Sequence, residues 1–206
     1  MADKKLMVGA TIQEGIAIGI KNIGPILVNI LLWVLTIWIP YINVGTTIGL
    51  MAGIVSKASR GEIIPITEIF DPKYRKYMGE FFLVAGLSGI GIFTGLIFGI
   101  IPGIVISLAW SLAILLVVDK GKNPTKALVL SNNCTYGYKW KMAGIYLLTS
   151  LVFGVVQGIL LGIGAALDND DIMIILSIIV FLISLFGFFV GIGLQASIYR
   201  QLTEDI

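Results

Sequence analysis

Long apolar runs, each longer than one membrane crossing, constrain the fold of this chain more than any other feature. Residues 23–58, 80–118 and 142–197 are apolar almost throughout. They raise the apolar share of the sequence to 57% and the mean hydropathy to +0.99, well above the values of soluble proteins. In hydrocarbon every backbone N–H and C=O needs an internal partner, which a helix supplies. The sequence therefore predicts an all-α integral membrane protein.

Each run divides near its middle, because about 20 helical residues cover the hydrocarbon core. Pro40 and Pro102 lack a backbone N–H and disfavour helix in the preceding residue. The acidic segment 168–171 divides the third run. We therefore predict a single membrane domain over 1–206, a polytopic six-helix transmembrane bundle made of three hairpins. Their helices are predicted at 23–39 and 42–58, at 80–100 and 102–118, and at 142–166 and 172–197.

The basic residues are segregated along the chain. All 14 Lys and Arg residues lie before the first hairpin, at or between hairpin ends, or after the last span. The turns within the hairpins hold none. By the positive-inside rule both termini and both long loops are cytoplasmic, in a prokaryotic plasma (inner) membrane. A net charge of +2 gives no strong basic field, so membrane lipids are expected partners and nucleic acid is not.

An amphipathic stretch precedes each hairpin. These stretches, 5–22, 65–79 and 123–138, combine apolar faces with charged residues and are predicted to be interfacial helices. Asp71-Pro72 and Asn123-Pro124 each offer an N-cap side chain followed by a proline suited to the first helical turn. The chain thus reads as a threefold repeat, although any loop that joins hairpins could also lie at the interface.

Glycines recur at every fourth position in four of the predicted helices, and each series is called a glycine row here. Residues i and i+4 share a helix face, so a row lets another helix approach closely. Tight packing within one bundle is the favoured interpretation, and oligomerisation or a narrow conduit is the alternative. The rows are Gly45, Gly49 and Gly53; Gly91, Gly95, Gly99 and Gly103; Gly154, Gly158 and Gly162; and Gly187 with Gly191.

Residues with catalytic chemistry are scarce. The chain has no His and one Cys, Cys134, which excludes the usual zinc sites and His-dependent triads. Gly121-Lys122 lacks the remaining residues of a phosphate loop. Asp168, Asp170 and Asp171 fit a solvated turn at a helix N-terminus better than a metal site. No enzymatic activity and no cofactor are predicted.

Three amides lie inside the apolar runs: Asn29, Gln157 and Gln195. No Asp, Glu, Lys or Arg lies deep in a predicted span, which argues against proton coupling. A passive pore would need the three amides to face a common cavity. The favoured interpretation is an interhelical hydrogen bond, worth about 1 kcal/mol.

One stretch carries a family resemblance. It contains Ile101-Pro102-Gly103, then Val118-Asp119-Lys120-Gly121, then Ala127-Leu128, Ser131 and Gly137. This pattern resembles the YciC-like inner-membrane proteins and the membrane domain that precedes some glycerophosphodiester phosphodiesterases. The resemblance implies a six-helix fold of largely unassigned role. In the phosphodiesterases the chemistry belongs to an attached soluble domain, so the resemblance implies no catalytic residue in this chain.

Three hypotheses of function follow. The favoured one is a non-catalytic membrane protein that acts by self-association, as a subunit of a membrane complex or by organising lipid. The second is a passive pore or small-solute transporter. The third, an enzyme that acts on lipid, would require Glu80, Asp119 or the acidic segment 168–171 to converge around a headgroup-sized pocket.

Overall fold

A computed structural model describes residues 6–167, 169–204 and 206, and all regular structure within them is helical. The predicted all-α class is therefore confirmed. The described residues form eleven α-helices, with a π-helical turn at Gly49–Gly53 between α3 and α4 and a 3₁₀ turn at Glu68–Phe70 before α5. The helices are α1 (Val8–Lys21), α2 (Ile23–Thr36), α3 (Pro40–Ile48), α4 (Ile54–Ser59), α5 (Lys73–Lys76), α6 (Met78–Phe98), α7 (Ile100–Trp110), α8 (Ala113–Lys120), α9 (Pro124–Thr135), α10 (Lys139–Leu167) and α11 (Asp170–Thr203).

Four helical stretches in the described part of the chain are long and apolar enough to cross a membrane. They are α6, α7 with α8, α10, and α11, of 21, 21, 29 and 34 residues. A fifth exists if α1 and α2, which are bent by 66° at their junction, count as one broken span. The six-span arrangement is not confirmed, because α2 alone has 14 residues, or about 21 Å, against a core of about 30 Å.

Residues 65–79 do not form the single helix predicted for them. The chain is irregular from Gly61 to Thr67 and forms only the 3₁₀ turn and α5 before α6 begins at Met78. Pro65 and Pro72 each remove a backbone donor and disfavour helix before them. Ile69 and Tyr74 of this segment are buried and pack against the glycine row of α3 and the π turn, whereas Ile66 is exposed.

That contact also sets the position of the first hairpin relative to α6. A Cβ added at Gly49 would lie 2.7 Å from the Cα of Ile69, and one at Gly45 would lie 2.9 Å from the Cγ of Arg75. Arg75 is three residues before the first residue of α6. Gly45, in the second half of α3, therefore lies close to the start of α6, whereas the predicted spanning hairpin would place it near the far side of the membrane.

The second hairpin turns at Gly99, not at Pro102 as predicted. Gly99 has φ +145°, a conformation that L side chains rarely adopt, and α7 begins at the next residue. Pro102 lies in the first turn of α7, where its missing N–H costs no helical hydrogen bond. The two helices touch at Gly95 and Gly103, since a Cβ at Gly95 would lie 3.1 Å from the Cα of Gly103.

The first predicted interfacial helix forms α1, but its buried face differs from the aliphatic stripe that the sequence predicts at Val8, Ile12, Ile16 and Ile20. Ile16 and Ile20 are 36% and 52% exposed, whereas Thr11, Gly15 and Gly19 are buried. A Cβ at Gly15 would lie 2.9 Å from the Cα of Leu194, and one at Gly19 would lie 2.7 Å from the carbonyl oxygen of Phe189. Small residues therefore dock α1 closely against the second half of α11.

The packed core lies at one end of the molecule. We call this end, where Met78, Lys120, Lys139 and Thr203 lie, the base of the bundle. In α11 the buried residues all fall between Phe189 and Thr203. In α10 and α11 only 6% of the most apolar 18-residue window is buried. The outer part of the α10/α11 hairpin thus projects from the base, uncovered by the rest of the described chain.

Candidate functional site

Asn29 is fully buried and binds the irregular segment after α4. Its Nδ2 donates to the carbonyl oxygen of Pro65 at 2.9 Å and to that of Pro25 at 2.8 Å. Its Oδ1 accepts the backbone N–H of Ile69 at 3.1 Å. Irregular backbone needs such partners when water is excluded. The amide therefore holds residues 65–69 in place and faces no open cavity.

Glu68 lies beside this contact as a buried carboxylate, 3% exposed. Its Oε2 lies 2.7 Å from Lys57 Nζ, and its Oε1 lies 3.4 Å from Lys73 Nζ and accepts the Tyr74 hydroxyl. Lys73 also pairs with Asp71 at 3.0 Å, so two cations meet two carboxylates. Burial, together with the bond to Glu68, raises the pKa of the Tyr74 hydroxyl, which keeps it protonated as a donor.

Sequence analysis missed Glu68, because an acidic residue in a connecting loop is typical of a solvated turn. The sequence does contain one indication of this cluster. The glycine row of α3 and the π turn leaves space along the helix that a bulky side chain can fill. A side chain at Gly53 would overlap Tyr74, so this row makes room for the tyrosine that reaches Glu68.

A second ionic cluster ties the helices together at the base. Arg60 pairs with Glu62 and Asp119, and Tyr199 donates to Asp119 at 2.8 Å. The carboxylates raise the pKa of Arg60, with the hydrogen bond to Glu62 as the largest cause. This cluster joins α4, α8 and α11, and its carboxylates are engaged by protein groups.

The acidic residues required for an enzyme acting on lipid lie apart. Asp119 lies in the cluster at the base, Glu80 is exposed at the start of α6, and Asp170 and Asp171 are exposed at the opposite end of the bundle. Asp168 lies outside the described residues. Among the described residues, no group of three His, Cys, Asp or Glu side chains is placed to hold a metal ion.

Gln195 binds the backbone at the break between α7 and α8. Its Nε2 donates to the carbonyl oxygen of Ser111 at 3.1 Å, while its Oε1 accepts the Tyr146 hydroxyl. Ser131 of α9 completes the repair, because its Oγ donates to Ala109 O at 2.7 Å and accepts Leu112 N–H at 3.2 Å. Backbone groups freed at the break are thus satisfied by side chains of two other helices, α9 and α11.

Gln157 occupies a third, separate place. Its Nε2 donates to Ser184 Oγ at 3.1 Å between α10 and α11, and both side chains border an open groove. The three amides predicted as a possible pore lining therefore have different partners in different parts of the fold. They do not meet in one cavity.

Two open grooves flank α7. The α7–α10 groove, about 830 Å³, lies between α7, α10 and α11 and is lined mostly by apolar side chains. The α7–α9 groove, about 570 Å³, lies between α6, α7 and α9. Ile104 and Leu108 face the first groove, and Ile106 and Ala109 face the second, so the grooves lie on opposite sides of one helix.

The glycine rows differ in what they contact. The rows of α3 with the π turn and of α6 are filled within the chain at Gly45, Gly49, Gly53, Gly91 and Gly95. The α10 row is empty, because a Cβ at Gly154, Gly158 or Gly162 would meet nothing within 4 Å. In α11, a Cβ added at Gly187 would lie 3.5 Å from the Phe153 ring, while one at Gly191 would meet nothing within 4 Å. Packing within one bundle therefore explains the first two rows and fails for the α10 row.

The chain matches no protein-family model, no curated protein and no solved structure.

Proposed function

We propose that this chain is a non-catalytic multi-pass membrane protein that acts by self-association through its α10/α11 hairpin. The empty glycine row of α10 carries the proposal. The same residue pattern brings helices together elsewhere in the molecule, at Gly95 against Gly103 and at Gly15 against Leu194. Van der Waals contact along small residues is the main source of helix association in lipid.

A second copy of the chain is the proposed occupant. Among the described residues nothing packs into the row, since a Cβ at Gly154, Gly158 or Gly162 would meet no atom within 4 Å, and Leu151, Val155 and Ile159 beside it are 57%, 51% and 57% exposed. Two such faces related by a twofold axis are self-complementary, because each glycine row admits the other helix. An α10–α10 contact then closes a dimer and leaves the base of each copy free.

The proposal includes an orientation with the base and both termini cytoplasmic, in a prokaryotic inner membrane. The segregated basic residues support it. With four spans instead of six, everything up to α6 stays on the side of the base, and the termini still share that side. The orientation therefore does not depend on whether the first hairpin crosses the membrane.

A passive carrier is the second candidate. The observation in its favour is the polar strip in the α7–α10 groove, where Gln157 and Ser184 lie among apolar side chains. A solute path would have to continue past Gln157, although Asn29 and Gln195 are engaged elsewhere. Self-association needs no such path and is the better supported of the two.

The test compares leucines at two open glycines. Gly158→Leu places a bulky side chain in the middle of the α10 row, and Gly89→Leu places one at an open position on α6. Neither should disturb the folded monomer. We expect the wild-type protein and Gly89→Leu to be dimers by light scattering in mild detergent, and Gly158→Leu to be a monomer.

Disulfide cross-linking in native membranes supplies the second readout. Cysteines at Val155 and Ile159, in a chain whose own cysteine has been replaced by serine, should cross-link between copies only when Gly158 is retained. A wild-type chain that stays monomeric in both experiments, or a Gly158→Leu chain that dimerises unchanged, would refute the proposal.

A further inference from the structure

Lys139, the first residue of α10, lines the α7–α9 groove, and the next residue, Trp140, lines the α7–α10 groove. Its Nζ donates to Asn132 Oδ1 at 2.8 Å. An ammonium has three N–H donors, so two remain for a ligand. Among the described residues no carboxylate forms an ion pair with Lys139, unlike Lys57 or Lys73.

The grooves above this cation match the shape of a lipid with two chains. Val105 and Ala109 face the α7–α9 groove, Ile104 and Leu108 face the α7–α10 groove, and α7 forms the wall between them. The α7–α10 groove extends along α10 from Trp140 to Gln157, which is about 26 Å of helix. One leaflet of hydrocarbon is about 15 Å thick, so a whole acyl chain fits along it.

The surroundings of Lys139 suit a headgroup. Trp140 is 68% exposed at the base end of the groove, the position that tryptophan prefers at the edge of the hydrocarbon. Asn132 presents its amide nitrogen beside the bond to Lys139. Lys126, on the neighbouring face of α9, borders the adjoining surface that includes Thr125 and Val129. Two cations and an amide near one membrane edge favour a negatively charged headgroup.

We infer that this region binds an anionic diacyl phospholipid, its phosphate at Lys139 and Asn132 and its two acyl chains on either side of α7. The headgroup end of this site, at Lys139 and Asn132, lies apart from the α10 glycine row, but Gly154 of that row lines the outer end of the α7–α10 groove. Lys139→Gln therefore tests the lipid site without changing the row on which the proposed self-association rests. The site makes the protein a selective binder of one lipid charge class in the leaflet at the base.

The experiment uses the full chain in nanodiscs with spin-labelled phosphatidylglycerol or spin-labelled phosphatidylcholine as probe. The fraction of immobilised label reports binding. We expect phosphatidylglycerol to be preferred, and Lys139→Gln to reduce that preference about fivefold, the contribution of one lysine near a membrane surface. Lys141→Gln is the matched control, because Lys141 lies two residues away with its Nζ over the Tyr138 ring instead of in a groove.

A variant in the α7–α10 groove tests the binding of the acyl chains separately from that of the headgroup. Ala143→Phe fills the α7–α10 groove beside Trp140 and should lower immobilisation of both probes while leaving helix content and particle mass unchanged. Equal immobilisation of the two lipids by the wild-type protein would overturn the inference. So would an equal loss in Lys139→Gln and Lys141→Gln, since that result would reflect only the general field of the basic surface.

Discussion

Replacement of Asn29 by leucine is the sharpest test of the fold, because the two side chains have similar size and differ in hydrogen bonding. The leucine would leave the N–H of Ile69 without a partner, whereas the carbonyl oxygen of Pro65 would keep the N–H of Glu68. Ile69 is 1% exposed, so water cannot replace the amide. A buried group left unsatisfied costs about 1–3 kcal/mol, so we expect a loss of that size in the free energy of unfolding.

The measurement is reversible unfolding in mixed micelles, followed by tryptophan fluorescence. Gln157→Leu is the control, since it removes one exposed amide hydrogen bond, worth about 0.6–1 kcal/mol between membrane helices. Asn29→Asp is a second variant. It keeps the acceptor for Ile69 but turns a carboxylate oxygen toward the carbonyl oxygen of Pro65, so we expect it to destabilise at least as much as leucine.

Our account of Asn29 fails if Asn29→Leu costs no more than Gln157→Leu. That result would mean that residues 65–69 are held by the packing of Ile69 and Tyr74 alone. Protection of the Ile69 amide from hydrogen exchange gives an independent check, because this protection should disappear in Asn29→Leu even if the helices stay intact.

The remaining predictions concern the base and the first hairpin. Glu68→Gln leaves Lys57, whose side chain is 18% exposed, without its counter-charge and should cost about 3 kcal/mol in the same unfolding assay. Glu62→Gln, at a pair that is half exposed, should cost less than about 1 kcal/mol. Equal losses would contradict the role given to the Lys57–Glu68 pair. Ser131→Ala removes the partner of the Leu112 N–H at the α7–α8 break and should cost about 1–3 kcal/mol, so a neutral result would mean that the break needs no repair. A cysteine at Trp38, in a cysteine-free chain, should react with impermeant maleimide only from the side of the base, and a cysteine at Asn169 only from the other side; labelling of both from one side would restore a spanning first hairpin.

The all-α class and the two long hairpins could be predicted from the sequence, because they depend on hydropathy and charge averaged over many residues. Apolar length and the distribution of lysine and arginine mark α6 to α8 and α10 to α11 without reference to any contact. The first hairpin shares those averages, yet α2 is too short to span and α3 lies beside residues 68–75. Apolar residues buried by protein and apolar residues facing lipid are indistinguishable in composition.

The individual contacts were less predictable, for a different reason. Asn29 and Gln195 stand out in the sequence as amides within apolar runs. Their partners, however, are backbone groups of Ile69 and Ser111, which need a side-chain partner only because the α-helix is interrupted there. The glycines that pack α1 could not be recognised for another reason. Gly15 and Gly19 hold α1 against α11, but the amphipathic pattern of the sequence is carried by aliphatic residues and therefore indicates Ile16 and Ile20, which lie on the exposed side.

The π turn at Gly49–Gly53 determines where the chain tolerates the loss of one residue. Such a turn holds one residue more than the α-helical turn it replaces. Deleting one residue between Ile48 and Ile54 would convert the π turn into an α-helical turn and leave the following residues facing nearly the same way, so Lys57 would still face Glu68 and Arg60 would still face Asp119. The same deletion within the regular helix α4 would instead rotate the residues after it by about 100° relative to those before it. A one-residue deletion should therefore preserve the ionic clusters when it falls in the π turn and disrupt them when it falls in α4.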